Sequence, residues 1–307
     1  MPYDTAPRTC PRGRRAAYRV EVRAHGLVTE VPGAGPADHL CWVYEDDAAF
    51  DEAAREFLAG GLARGERLLC VGERVIDSLR TLTPPVADVA ALIARGALET
   101  LTLAEAYEAT EPFLPEQQLA YYDSATRRAM DDGYRGLRVI AEVTDQAADP
   151  AQRAQLVRWE HLADEYAVQG SGFSAMCAYR ADLDRETLAD VASVHPLLGA
   201  PEEISSFRLF VDGDRLALAG SVDTFSSDRL ARVLSSARAK DDGVVLDVAT
   251  LEFMDVAGCR ALARWAADLS ARSVAVEVTG SSALLRRMWD VLDLARLAPV
   301  TFAEALA

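Results

Sequence analysis

Residues 38–65 run DHLCWVYEDDAAFDEAAREFLAGGLARG, and their order sets the fold class. His39–Tyr44 is a short apolar run of strand length. Asp46 or Asp47 can cap a helix by accepting its free amide hydrogens. Phe50, Ala54, Phe57, Leu58 and Leu62 then recur at helical spacing along one face, and Gly65 ends the run. A strand that passes directly into a helix is one unit of an alternating α/β layer.

The same alternation continues down the chain. Leu68–Val71 reads as a strand, followed by a helix through Ile76 and Leu79 toward Pro84. Leu98–Thr102 is the next strand. The helix between Pro115 and Gly133 aligns Leu119, Tyr122, Thr126, Ala129 and Met130, with proline at its start and glycine past its end. Leu137–Val143 is a strand, the helix after Pro150 carries Leu156, Trp159, Ala163 and Tyr166 on one side, and Phe173–Tyr179 is a further strand. This predicts a layered domain with a largely parallel sheet over residues 38–196. Residues 197–205 read as a linker, and 206–307 as a second α/β unit. In that unit Asp212-Gly213-Asp214 joins the strands Phe207–Val211 and Arg215–Ala219 in a hairpin. Helices are expected over Thr224–Ala239, Ala257–Ala271 and Ser282–Leu294, around strands Val244–Val248 and Val274–Val278. Residues 1–37 carry six arginines against Asp4, Glu21 and Glu30, and five prolines; they read as a flexible basic arm with a short strand at Tyr18–Val22.

Composition narrows the function. The 307 residues hold 32 Lys plus Arg against 48 Asp plus Glu, a formal charge of −16. That argues against direct nucleic-acid binding or adhesion to an anionic membrane, both of which need clustered cations. No apolar run approaches the ~20 residues of a spanning helix, and the start lacks a secretory apolar stretch. Five scattered cysteines with no CxxC pair predict reduced thiols in a cytoplasmic protein. There is no G-x-x-x-x-G-K-[ST], so nucleotide hydrolysis lacks its phosphate clamp.

Two resemblances follow from particular residues. Gly220-Ser-Val-Asp223 and Val244-Val-Leu-Asp-Val-Ala-Thr-Leu-Glu-Phe-Met-Asp-Val-Ala-Gly258 resemble the STAS domain of bacterial anti-sigma factor antagonists. In that family a Ser or Thr just before the turn's glycine is phosphorylated. Here the position is Ala257, which has no oxygen to accept phosphate, so the switch surface would stay uncharged. Asp38-His-Leu-Cys-Trp-Val-Tyr-Glu-Asp46, Phe57-Leu-Ala-Gly-Gly-Leu-Ala-Arg-Gly-Glu66, Gly133-Tyr-Arg-Gly-Leu-Arg-Val139, Trp159-Glu160 and Cys177-Ala-Tyr179 resemble the MEDS domain, a sensory module similar to a KaiC/RecA-like domain without a P-loop. That resemblance implies sensing of a small organic ligand through His and Cys positions.

The candidate ligand-sensing residues are His39, Cys41, Tyr44, Cys70, Arg138, Glu160 and Cys177. His39 and Cys41, two apart in a strand, share a face, and Cys70 or Cys177 on neighbouring strands could complete a soft metal-ligand set. Small buried core residues are the alternative, and no metal or cofactor is expected. Arg138 and Glu160 are candidates for a buried ion pair lining a pocket. His161 reads as a surface or capping residue, and His25 and His195 fall in the arm and the linker. A nucleophilic pair of Cys41 or Cys177 with His39 or His161 lacks a local signature. On the STAS-like side the candidate partner-binding residues are Asp223, Asp255, Ala257, Gly258, Arg260 and Arg264. Arg260, Arg264, Asp268 and Arg272 form one row of the helix whose other side carries Leu262, Trp265, Ala266 and Leu269. The expected protein is a non-enzymatic cytoplasmic regulator that could form a homodimer. Its partner would be an anti-sigma factor or a switch-kinase-like protein. A structural scaffold and a Cys/His-dependent enzyme are the rival readings.

Overall fold

A computed structural model describes residues 23–31, 39–80, 88–108, 113–239 and 243–303. The first unit runs β1 (Gly26–Val28), β2 (His39–Tyr44), α1 (Asp47–Arg64), β3 (Arg67–Val71), α2 (Glu73–Ser78), α3 (Val89–Ala94), β4 (Leu98–Leu101), α4 (Leu103–Glu108), α5 (Pro115–Asp131), β5 (Leu137–Glu142), α6 (Thr144–Ala148), α7 (Pro150–Val168), β6 (Phe173–Arg180), α8 (Arg185–Ala192) and β7 (Leu197–Gly199). Its seven strands lie in the order β1-β7-β2-β6-β5-β3-β4, and every pairing is parallel. Local chemistry sets the element ends. Asp46, Asp149 and Asp184 each accept an amide hydrogen at the start of α1, α7 and α8. Gly65 closes α1 in the left-handed region, φ 73°.

The two faces of this sheet bury different cores. Cys41, Val43, Val139, Ala141, Cys177 and Tyr179 pack under α5 and α7. Leu40, Tyr44, Cys70, Ile140 and Met176 pack with Phe50, Phe57 and Leu58 of α1. The split follows from the alternation of side chains along a strand.

The second unit runs β8 (Phe207–Asp212), β9 (Arg215–Val222), α9 (Ser227–Ser236), β10 (Val244–Asp247), β11 (Leu251–Met254), α10 (Val256–Ala271), β12 (Val276–Thr279), α11 (Ala283–Val291), a 3-10 turn at Leu294–Arg296 and β13 (Val300–Phe302). β8 and β9 form the antiparallel hairpin; the other pairings are parallel, in the order β11-β9-β10-β12-β13. The helix expected from Thr224 begins three residues later, because the Asp223 side chain accepts from the amides of Phe225 and Ser226 and holds a turn there.

Two expectations at the borders are corrected. The stretch read as a linker contains β7, which lies between β1 and β2. Its Leu197 and Leu198 are buried, and a Cβ at Gly199 would fall on the Trp42 indole. The arm is not free along its last part either: Gly26–Val28 pairs with Leu197–Gly199, and Arg23 is bonded to Asp164. The expected strand at Tyr18–Val22 and the helix end near Pro84 lie outside the described residues. The two units are also packed together. Val157 and Val194 of the first belong to the hydrophobic core of the second.

Candidate functional site

β2 presents His39, β6 presents Cys177, and α7 crosses above them with Glu160 pointing down at the sheet. His195 reaches the same point from the turn between α8 and β7. All four are buried, and their potential ligand atoms lie within 4.8 Å of one another. Glu160 Oε2 is 3.1 Å from His39 Nε2, 3.2 Å from Cys177 Sγ and 3.5 Å from His195 Nε2. Cys177 Sγ is 3.8 Å from His39 Nε2. The other Glu160 oxygen accepts from the Tyr179 hydroxyl at 2.9 Å.

The surroundings fix each ring. His195 Nδ1 lies 2.8 Å from the Val191 carbonyl oxygen, which can only accept, so Nδ1 carries the hydrogen. His39 Nδ1 lies 3.4 Å from Asp164 Oδ1. Burial alone would lower the His39 pKa, but hydrogen bonds and charge from Asp164 and Glu160 raise it above its ordinary value. Burial opposes the Glu160 charge, yet His195 and His39 hold its carboxyl well below the usual range. Burial, then the Glu160 charge, pushes the Cys177 thiol far up. Burial pushes Cys41 up in the same way and takes Cys70 to about 12. These thiols are poor nucleophiles as they stand.

α7 also carries the link to the second unit. Asp164, one helical turn beyond Glu160, accepts from the Val211 amide of β8 at 2.7 Å and from Arg23 at 2.7 Å. His161 Nε2 lies 3.2 Å from the Val233 carbonyl of α9. The Ser193 carbonyl, two residues before His195, accepts from Leu209 of β8 at 2.7 Å. α7 and the segment after α8 thus touch both the buried group and the second unit.

The predicted residues sort by sheet face. His39, Cys177 and Glu160 meet; Cys41 sits beside Cys177 in the strand register without joining the group. Tyr44, Cys70 and Arg138 face the other way. Tyr44 donates to Glu142 at 3.0 Å. Arg138 does not pair with Glu160. Its Nε donates to Glu66 Oε2 at 2.6 Å, and its guanidinium lies over the Phe57 ring. Parity along β5 turns Arg138 toward α1, on the side of the sheet away from α7. His161 and His195 are likewise corrected from surface and linker to buried. Their signal in the sequence was weak, since both depend on how α7 and the end of α8 pack on β8.

In the second unit Asp255 caps α10 by accepting from Gly258 N at 2.9 Å, and the Thr224 hydroxyl donates to its other oxygen at 2.8 Å. A Cβ at Gly258 would come within 3.0 Å of Met254 and Val222, so the helix start is pressed onto the strands. Asp223 caps the turn before α9, and Ala257 lies half-buried in the first turn of α10. Arg260 and Arg264 are exposed, and no ion pair of either is found among the described residues. Around the turn Phe225 is 91% exposed, with Phe253, Val256 and Leu284 also open.

Residues 38–196 match the family described as the methanogen/methylotroph, DcmR sensory domain, MEDS. Residues 206–299 match the family described as Mlab, STAS domain. The first match spans more than half of the chain, and the chain belongs to the MEDS family, with a STAS domain following the sensory one. No curated protein matches it at the level of whole sequences. A sensory module joined to a STAS module gives the chain a signalling or regulatory role. Among the described residues no helix is long and apolar enough to cross a membrane.

Proposed function

We propose that the chain is a non-enzymatic regulator in which the His39–Glu160–Cys177–His195 group is the input and the α10 turn is the output. The observation that carries this reading is the double use of α7. Glu160 enters the buried group, while His161 and Asp164 hold the STAS domain. A change of charge or spacing at Glu160 moves a helix that both domains share, which is a physical coupling element. The raised thiol pKa values support binding over covalent catalysis.

At the output, Phe225, Phe253, Val256 and Leu284 are exposed apolar residues of the elements around the α10 turn, which also carries Asp255 and, further along its helix, Arg260 and Arg264. Such a surface fits a protein partner with an apolar anchor and an acidic rim. By class the partner is an anti-sigma factor or a switch-kinase-like protein. Ala257 leaves the turn without a phosphate acceptor at its first helical turn, so regulation would come from the sensory domain.

Hydrogen exchange on the full chain tests the coupling. Glu160→Gln removes the charge while keeping the shape. The expected result is faster exchange at β8 and α9, which α7 holds, with β12 and β13 unchanged. Exchange altered only within the sensory sheet would overturn the reading.

A further inference from the structure

The buried group leaves one acceptor unsatisfied. His195 donates from Nδ1 to Val191, so the lone pair on its Nε2 points at Glu160, and that nitrogen has no hydrogen-bond partner. His39 lies between two carboxylates, with Nε2 3.1 Å from Glu160 Oε2 and Nδ1 3.4 Å from Asp164 Oδ1, which is itself held by Arg23 and whose partner oxygen takes the Val211 amide. Glu160 Oε2 thus meets the unpartnered His195 lone pair together with His39 Nε2 and the Cys177 thiol. Acceptors gathered in a dry interior repel one another unless a cation sits between them.

Geometry and charge say which cation. A tetrahedral zinc site with bonds of about 2.0–2.3 Å sets ligand atoms roughly 3.3–3.6 Å apart. Four of the six ligand-atom separations, 3.1, 3.2, 3.5 and 3.8 Å, lie around that spacing, and all six are within 4.8 Å. Two imidazoles, a thiolate and a carboxylate are a borderline-soft set that suits zinc or cobalt rather than magnesium or calcium. Three of the four ligands are oriented from behind: His195 by the Val191 carbonyl, His39 by Asp164, Glu160 by Tyr179. The two anionic ligands neutralise a divalent ion, and Arg23 neutralises Asp164. Atoms this close leave room for an ion and not for an organic molecule.

We propose that the chain binds one divalent ion of the zinc class through His39 Nε2, Glu160 Oε2, Cys177 Sγ and His195 Nε2. Coordination forms a metal–sulfur bond at Cys177, whose proton leaves to solvent. Four protein ligands close the shell, which makes the site structural or sensory rather than catalytic. The inference deepens the reading of this group as the input centre.

The test uses the purified full chain, stripped with a chelator and titrated with zinc and then with cobalt. One ion per chain is expected, and the cobalt form should show a thiolate-to-metal charge-transfer band together with tetrahedral visible bands. Cys177→Ser should abolish the charge-transfer band, whereas Cys41→Ser should keep it. Asp164→Asn, which acts through His39, should weaken zinc binding about 10–100-fold. A stripped, natively folded wild type that takes up no ion, or a cobalt spectrum without a thiolate band, overturns the proposal. So does a band that survives Cys177→Ser or is lost in Cys41→Ser. If metal uptake fails while Glu160→Gln still alters exchange at β8, the ion is refuted and the coupling stands. Uptake without any such change refutes the coupling alone.

Discussion

Two charged groups lie buried on opposite faces of the sensory sheet, and they are built on different principles. On the α1 face Glu66 is matched by fixed cations: Arg138 on one oxygen at 2.6 Å, its guanidinium over Phe57, and Arg64 on the other at 3.1 Å. On the α7 face Glu160 is surrounded by His39, His195 and Cys177, none of which carries a fixed positive charge. A carboxylate held by arginines takes its compensating charge from within the chain. A carboxylate that faces the unpartnered His195 lone pair lacks such a charge until a proton or an ion is added, and that difference separates a structural ion pair from a site that can report on its surroundings.

Removing one member of each group should show the contrast at its largest. Glu66→Ala strands a fully buried guanidinium whose Nη1 and Nη2 already lack partners. Leaving such a charge uncompensated costs about 3–5 kcal/mol. Denaturant unfolding of the full chain measures it, and a loss below ~1 kcal/mol would show that Phe57 and solvent suffice for Arg138.

The corresponding change on the other face should be milder. In chelator-treated protein Glu160→Gln removes a negative charge facing the His195 lone pair and supplies an amide hydrogen that His195 can accept. Its cost should be about 1 kcal/mol, that of one exchanged hydrogen bond. Equal losses in Glu66→Ala and Glu160→Gln would mean that a histidinium already neutralises Glu160, and the distinction between the two faces would fail.

Much of this was legible in the sequence, and the gaps have physical causes. Period-two alternation in HLCWVY put His39 and Cys41 on one face and Tyr44 on the other, although the sensing residues were grouped across both. The strand LRVIAE is buried on both faces, so its pattern gives no parity, and Arg138 was paired with the wrong acid. Glu66 stood one residue past a helix-ending glycine and read as loop. His195 was out of reach because a three-residue strand is too short to announce itself, and only β7 returning beside β2 brings that ring to Glu160. The STAS turn was plain because its geometry is local: Asp255 caps the helix three residues before the glycine it bonds.

Glu142 gives the smallest effect and the finest check of the matched face. Burial raises its pKa above the ordinary 4.5, although Thr144 and Tyr44 hydrogen-bond to it and pull the other way. A carboxyl whose folded pKa is raised holds its proton more tightly in the native state than in the unfolded chain. Its favourable contribution is therefore present below about pH 4.5 and is lost as pH rises through the folded value. Glu142→Gln cannot titrate. Wild type should gain stability relative to this variant as pH falls from neutrality toward 4.5, by a fraction of the Glu66→Ala effect, in unfolding curves taken across that range. A difference that runs the opposite way would mean that Tyr44 and Thr144 favour the charged form over burial, and that Glu142 itself needs a cation.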